Sequence, residues 1–199
     1  MIKIDLHTHS KEDPLDKMNY SIYDLIDKAV EMKFDAIAIT HHNTYFSKHK
    51  EYYEKTKEYA KQKDLIIIPG IETTIENKHV LIYNSKRDIE KIKTFSELRE
   101  YKKQNPNILI IAPHPFHHTS FCLKNKLIEN IDLFDAIELS SFYSKTIKLN
   151  EKAISIAKQF NKPLVGNGDI HLLKTMGKTY TLVDSNKNIQ SIIIFNHIF

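Results

Sequence analysis

The stretch DAIAITHHN, residues 35–43, sets four apolar residues between Asp35 and Thr40 and follows them with two histidines. The run is too short and too continuous for an amphipathic helix, so it reads as a buried strand. Runs of this kind recur along the chain. They are MIKIDL (1–6), LIIIPG (65–70), HVLIYN (79–84), NILIIAP (107–113), DAIELS (135–140), KPLVG (162–166) and TYTLVD (179–184). Pro69-Gly70 reads as the stop of the third run. Helical patterns lie between most of them. In residues 19–34, Ile22, Leu25, Ile26, Ala29 and Val30 recur at helical spacing, and Ser21 with Asp24 forms a capping box. Residues 47–63 read as a polar outer helix. Residues 94–104 begin with the capping pair Thr94 and Glu97. Residues 122–131 and 146–160 complete the set. The tail, 186–199, reads as a closing helix or as a segment across the barrel base.

Alternating strand and helix with short connections argues for parallel strands covered by helices, the α/β class. No composition break divides the chain, so residues 1–199 are expected to form one domain. A full eightfold barrel takes about 250 residues. The 199 residues here suit a smaller, distorted barrel of about seven strands.

Composition narrows the function classes. Hydrophobic residues make up 41% and charged residues 27%, as expected for a globular protein. No apolar run approaches a membrane span. The N-terminus carries charge where an export signal needs an apolar stretch, so a cytoplasmic location is expected. Cys122 is the only cysteine, which rules out an intrachain disulfide and disfavours thiolate metal sites. The net charge of +4 is spread among interleaved acids and gives no nucleic-acid stripe. Arg87 and Arg99 are the only arginines, and no glycine-rich phosphate loop is present. An anionic substrate is therefore expected to meet lysine, histidine, backbone amides or metal ions.

The polar residues gather at the strand ends. His7 and His9 follow the first strand, and His41 and His42 the second. Glu72 follows the third, and His79 opens the short strand after it. His114, His117 and His118 follow NILIIAP, Glu138 lies in DAIELS, and Asp169 and His171 follow KPLVG. Of 11 histidines only His49 and His197 fall elsewhere. In parallel α/β proteins the carboxyl ends of the strands share one face, where active sites are built. A lone histidine at a strand end is usually a satisfied polar residue. The convergence of many, with carboxylates, calls for divalent cations. Imidazole and carboxylate without thiolate suit zinc, manganese or iron, and the donors exceed what one ion takes, so two or three ions are expected.

The series DLHTHS, AITHHN, PGIE, APHP and GDIH, in this order, resembles the polymerase and histidinol phosphatase (PHP) family of metal-dependent phosphoesterases. The resemblance spans essentially the whole chain. It implies a distorted (β/α)7 TIM-like barrel and a di- or trinuclear metal site. His7 and His9 would bind one ion with Glu72 and Asp169. Glu72 would bridge to a second ion, completed by His79 and His114. A third would be held by His42, His171 and a carboxylate of the loop after His9, where Asp16 is slightly favoured over Asp13. Metal ions lower the pKa of bound water and yield a hydroxide nucleophile at neutral pH. Asp169 or His171 could pass a proton to the leaving group, and Glu72 completes the catalytic set. His41, His117, His118, Lys11 and Glu138 are the candidates for substrate contact, Glu138 with the alternative of orienting a histidine. His41 stands where the family most often has Asp.

The expected activity is hydrolysis of a small phosphomonoester or phosphodiester of the nucleotide or sugar phosphate class. A nuclease, a metal-dependent amidohydrolase and a non-catalytic metal-binding sensor are the alternatives. The expected partner is a small phosphorylated substrate, with nucleic acid not favoured and no membrane association. The oligomeric state is left open.

Overall fold

The computed structural model describes residues 1–46, 50–141 and 149–184. Eight strands form its sheet: β1 (Ile2–Thr8), β2 (Ala36–Ile39), β3 (Ile66–Ile75), β4 (Lys78–Tyr83), β5 (Leu109–Ala112), β6 (Ala136–Ser140), β7 (Leu164–Asn167) and β8 (Thr181–Val183). Five α-helices are interleaved: α1 (Ile22–Glu31), α2 (Lys50–Lys61), α3 (Phe95–Gln104), α4 (Asn125–Glu129) and α5 (Leu149–Gln159). The spatial order is β7-β6-β5-β4-β3-β2-β1-β8.

The expected barrel is present, with two departures from an all-parallel order. β1, β2 and β3 run parallel, as do β5, β6 and β7. β4 is antiparallel to both its neighbours, and β8 is antiparallel to β1. The β3–β4 hairpin turns on Glu76 and Asn77, both at positive φ (47° and 62°), as a two-residue turn with the twist of the strands requires. The sequence reading corrected here is the end of β3. Pro69-Gly70 does not stop it, and the strand continues to Ile75. Pairing with β2 ends at Ile39↔Pro69, and pairing with β4 begins at Gly70↔Tyr83. Pro69 thus sits where the strand exchanges one neighbour for the other, so its missing N–H interrupts little. Gly70 is needed for space, since a Cβ there would lie 2.8 Å from the Tyr83 ring.

The edges β7 and β8 approach each other and nearly close the barrel. The Gly166 amide donates to Thr181 Oγ1 at 3.0 Å, and that hydroxyl donates back to the Gly166 carbonyl at 2.9 Å. A Cβ at Gly166 would meet the Tyr180 carbonyl oxygen at 2.7 Å.

Strand alternation divides the core. All eight strands contribute to one buried cluster, among them Ile4, Leu6, Ala38, Ile68, Leu81, Ile111, Ala136, Val165 and Val183. That cluster fills the barrel. The alternate residues Ile37, Ile39 and Ile67 pack outward against Ile22, Leu25, Ile26 and Ala29 of α1. Both predicted capping boxes are formed, Ser21 with Asp24 and Thr94 with Glu97. The predicted tail (186–199), His49, His197 and the starts of two predicted helices lie outside the described residues. Among the described residues no helix is long and apolar enough to cross a membrane.

Candidate metal centre

The β1–β2 pairing slips between Asp5 and Thr8. Such irregularities re-aim side chains next to functional sites. Leu6 belongs to the barrel core, while its neighbour His7 enters a polar cluster at the barrel mouth. Asp5 secures this turn. Its carboxylate accepts from the His7 amide at 3.1 Å and from the Gly168 amide at 3.0 Å, tying β1 to the chain after β7. Burial pushes the Asp5 carboxyl up to about 7, against those amides. Asp169 and His114 both have left-handed backbone, with φ of 48° and 28°, a cost that concentrates at functional positions. Because β4 runs antiparallel, its first residues arrive at the same rim as the last residues of its parallel neighbours. His79 therefore faces Glu72 of β3, with Nδ1 at 2.8 Å.

Glu72 stands at the centre. Its Oε2 lies 3.3 Å from His7 Nε2, 3.4 Å from His9 Nε2 and 3.0 Å from His42 Nε2. Its Oε1 lies 3.1 Å from His114 Nε2. Asp169 Oδ1 approaches His7 Nε2 at 3.4 Å and His9 Nε2 at 3.6 Å. Four groups bring ligand atoms within 4.8 Å of one another: His7, His9 and Asp169; His7, Glu72 and His114; His42, Glu72 and His79; and His9, Asp13, Asp16 and His42. All nine metal candidates from the sequence thus lie in one cluster, His171 joining through Nε2 to Asp16 Oδ2 at 2.8 Å.

Asp13 and Asp16 both reach the site. Asp13 Oδ2 sits 2.9 Å from His9 Nδ1, His42 Nδ1 and the His42 amide. Asp16 Oδ2 is 3.4 Å from His42 Nδ1. Asp13 therefore orients two imidazoles from behind, and Asp16 faces His171 at the cavity.

The charge balance of this cluster favours cations. Burial works against the charge on His7, yet Asp169, Glu138 and Glu72 hold it well above the ordinary range. Burial likewise opposes charge on His42, and Asp13 and Glu72 lift it to about 9. Burial would raise Glu72 and Asp169, but the imidazoles hold both well below the usual carboxylate range. His7 Nε2, His9 Nε2 and Asp169 Oδ1 are buried atoms without a hydrogen-bond partner. Two imidazole nitrogens and a carboxylate oxygen, orphaned and pointing at one another, fit a divalent ion bound by nitrogen and oxygen donors.

A cavity of about 580 Å³ opens over the cluster, lined by Asp16, His42, Glu72, His79, His114, His117, His118, Asp169 and His171, with the apolar Leu15, Phe121 and Leu149. His117 and His118 line this cavity. Three other expected substrate contacts do not line it. Glu138 is fully buried beneath the site, with Oε2 at 2.9 Å from His7 Nδ1 and Oε1 accepting from the His114 amide at 3.0 Å. It braces the His7 ring and the His114 main chain, in line with the alternative of orienting a histidine. His41 is only 3% exposed, with Nε2 2.8 Å from Ser10 Oγ. Burial pushes it down to about 4, and its ring packs edge-on against Phe46 rather than lining the cavity. Lys11 is exposed and absent from the cavity wall.

Sequence reasoning missed Asp5, Cys122 and the apolar wall of Leu15 and Phe121. Asp5 had a local signal, a carboxylate set between the apolar Ile4 and Leu6, two residues before a histidine pair. Cys122 had none, because its partner His114 is defined only by the loop's path.

Sequence and fold both match known proteins. The PHP domain family matches residues 5–159, and the PHP-associated family matches residues 148–193. No curated protein matches the chain. A structure from Bifidobacterium adolescentis, provisionally named a metal-dependent phosphoesterase, is 13% identical with a TM-score of 0.62, covering 95% of this chain and 93% of its own. An amidohydrolase from Chromobacterium violaceum, solved with bound sulfate and no metal, is 12% identical with a TM-score of 0.62, over 96% and 95% of the two chains. The lesion-specific endonuclease PfuEndoQ from Pyrococcus furiosus is 15% identical with a TM-score of 0.67, over 98% of this chain but 56% of that one. At these identities the likeness shows the fold.

Proposed function

Because the chain belongs to the PHP family, we propose that it hydrolyses a small phosphomonoester or phosphodiester, of the nucleotide or sugar phosphate class, at a di- or trinuclear metal site. The observation that carries this reading is the convergence of the orphaned His7 Nε2, His9 Nε2 and Asp169 Oδ1 around Glu72. Zinc, manganese or iron suits the donors, and when bound would supply Lewis acidity toward a water and the phosphoryl oxygens. His7, His9, Glu72 and Asp169 would hold one ion, Glu72, His79 and His114 a second, and Asp16, His42 and His171 a third.

The chain's own residues supply the rest. Asp13 and Glu138 fix the rings of His9, His42 and His7 through their Nδ1 atoms, which sets the tautomer that leaves Nε2 free to bind. Among the described residues no arginine or lysine lines the cavity, so His117 and His118 are the candidates to hydrogen-bond an anionic substrate. Asp169 and His171 stand 3.3 Å apart at the cavity and are the candidates to move a proton to the leaving alkoxide as water's oxygen joins phosphorus and the ester bond breaks.

The test is a panel of phosphomonoesters, phosphodiesters, amides and oligonucleotides, assayed with each metal added back. Phosphate release from a small ester, lost in His9→Ala, is expected. Amide or oligonucleotide cleavage with no phosphate-ester turnover would replace this reading with another.

A further inference from the structure

The clearest clue outside the ligands is the short segment Thr119–Cys122, which grips both histidines of one proposed ion. Cys122 is buried, at 1% exposure, and its Sγ lies 3.5 Å from His114 Nδ1 and 3.1 Å from Thr119 Oγ1. The next residue back, Phe121, accepts the His79 amide on its carbonyl at 2.9 Å. Its ring stacks on the His79 imidazole with centroids 4.7 Å apart and planes at 21°. His114 Nε2 and His79 Nδ1 both face Glu72 Oε1.

We propose that Thr119–Cys122 is the clamp of the ion held by Glu72, His79 and His114, with Cys122 and Phe121 as positioning residues, and that this ion is the exchangeable member of the cluster. The inference rests on the metal-dependent reading above. His7 and His9 have buried carboxylates behind them, Glu138 at 0% and Asp13 at 5% exposure. A carboxylate behind an imidazole raises its basicity as a ligand and locks its tautomer. Behind His114 stands a single cysteine sulfur, a weaker hydrogen-bond partner than a carboxylate. With Nε2 turned to Glu72, Nδ1–H donates to Sγ, and Sγ and Thr119 Oγ1 share a second hydrogen bond. That arrangement fixes the ring with less polarisation than a carboxylate gives. His79 is held by stacking and a main-chain bond, at a wall where Phe121 itself is 47% exposed. His117, His118, Thr119 and Phe121 also line the cavity, so anything bound there presses on the clamp.

The experiment measures metals per chain by elemental analysis after dialysis against graded chelator, for the wild type, Cys122→Ala, Cys122→Ser and Phe121→Ala, with thermal unfolding in parallel. Wild type should lose one ion first. Cys122→Ala should lose that ion at about tenfold lower chelator, the low end of effects seen behind a ligand. The remaining ions should be released as in the wild type, and Cys122→Ser should restore most of the difference. Phe121→Ala, whose exposed ring leaves folding intact, should shift the same ion by about threefold, the worth of one aromatic contact. Release of all ions in parallel, or a wild-type profile in both Cys122→Ala and Phe121→Ala, would overturn the clamp. A wild-type chain that binds no metal would overturn the metal-dependent reading itself.

Discussion

His7 and His114 stack 5.6 Å apart and both face Glu72, yet they are held in different ways. His7 extends from β1, fully buried, with Glu138 behind its ring and Asp5 beneath its amide. His114 begins a loop, with left-handed backbone and a thiol behind its ring. One side of the site is a floor built on strands and braced by carboxylates. The other is a wall built on a loop, its rings backed by the Cys122 sulfur and the Phe121 ring rather than by carboxylates. The contrast teaches that ligands of similar chemistry can be held with unequal strength by what stands behind them, so the floor should retain its ion when the wall gives its up.

The contrast can be broken at the point both sides share. Glu72→Gln keeps the shape but removes the charge that floor and wall both use, and hydrolysis should fall by about a thousandfold or more, the loss of several kcal/mol of metal-derived stabilisation. Steady-state kinetics with elemental analysis checks this. A variant that keeps wild-type rate and metal content would place the centre elsewhere. Glu138→Gln acts from below. Metal affinity should drop about 10- to 100-fold, read by chelator competition. The floor ion should suffer most, because only His7 loses a charged partner for its ring.

Two substitutions in the frame sharpen the comparison by leaving both sides of the site alone. Gly70→Ala sets a methyl against Tyr83 and Thr40, and should cost about 1–3 kcal/mol in urea unfolding as an overpacked core does. Metal stoichiometry should be unchanged below the transition. Ser21→Ala removes the capping hydroxyl from α1 and should cost about 1 kcal/mol. Its kcat/KM should match wild type. A large activity loss there would mean that the start of α1, whose Ile22 amide donates to Glu12, helps to hold the loop of Asp13 and Asp16.

What the sequence revealed followed from how local each rule is. The capping boxes at Ser21 and Thr94 are decided within four residues, and both formed. The convergence of histidines needed only the sense of the strands, and the nine candidate ligands came together. The course of β3 through Pro69 was hidden because it depends on β4 taking over from β2 as partner. Glu138 was seen as a site residue, but its place beneath His7 depends on the packing of β6 against β1 across the barrel. His41 reads as a substrate contact beside His42, yet Ser10 and Phe46 enclose it. Local patterns named the residues, and the closure of the barrel decided which of them face the cavity.

The most direct test of the metal centre is native mass spectrometry of the chain purified without chelator and titrated with zinc, manganese and iron. The account predicts species carrying two or three ions, with one ion leaving first as chelator is added and none retained by a variant lacking His9, Glu72 and Asp169 together. A chain that stays metal-free with all three metals would contradict it.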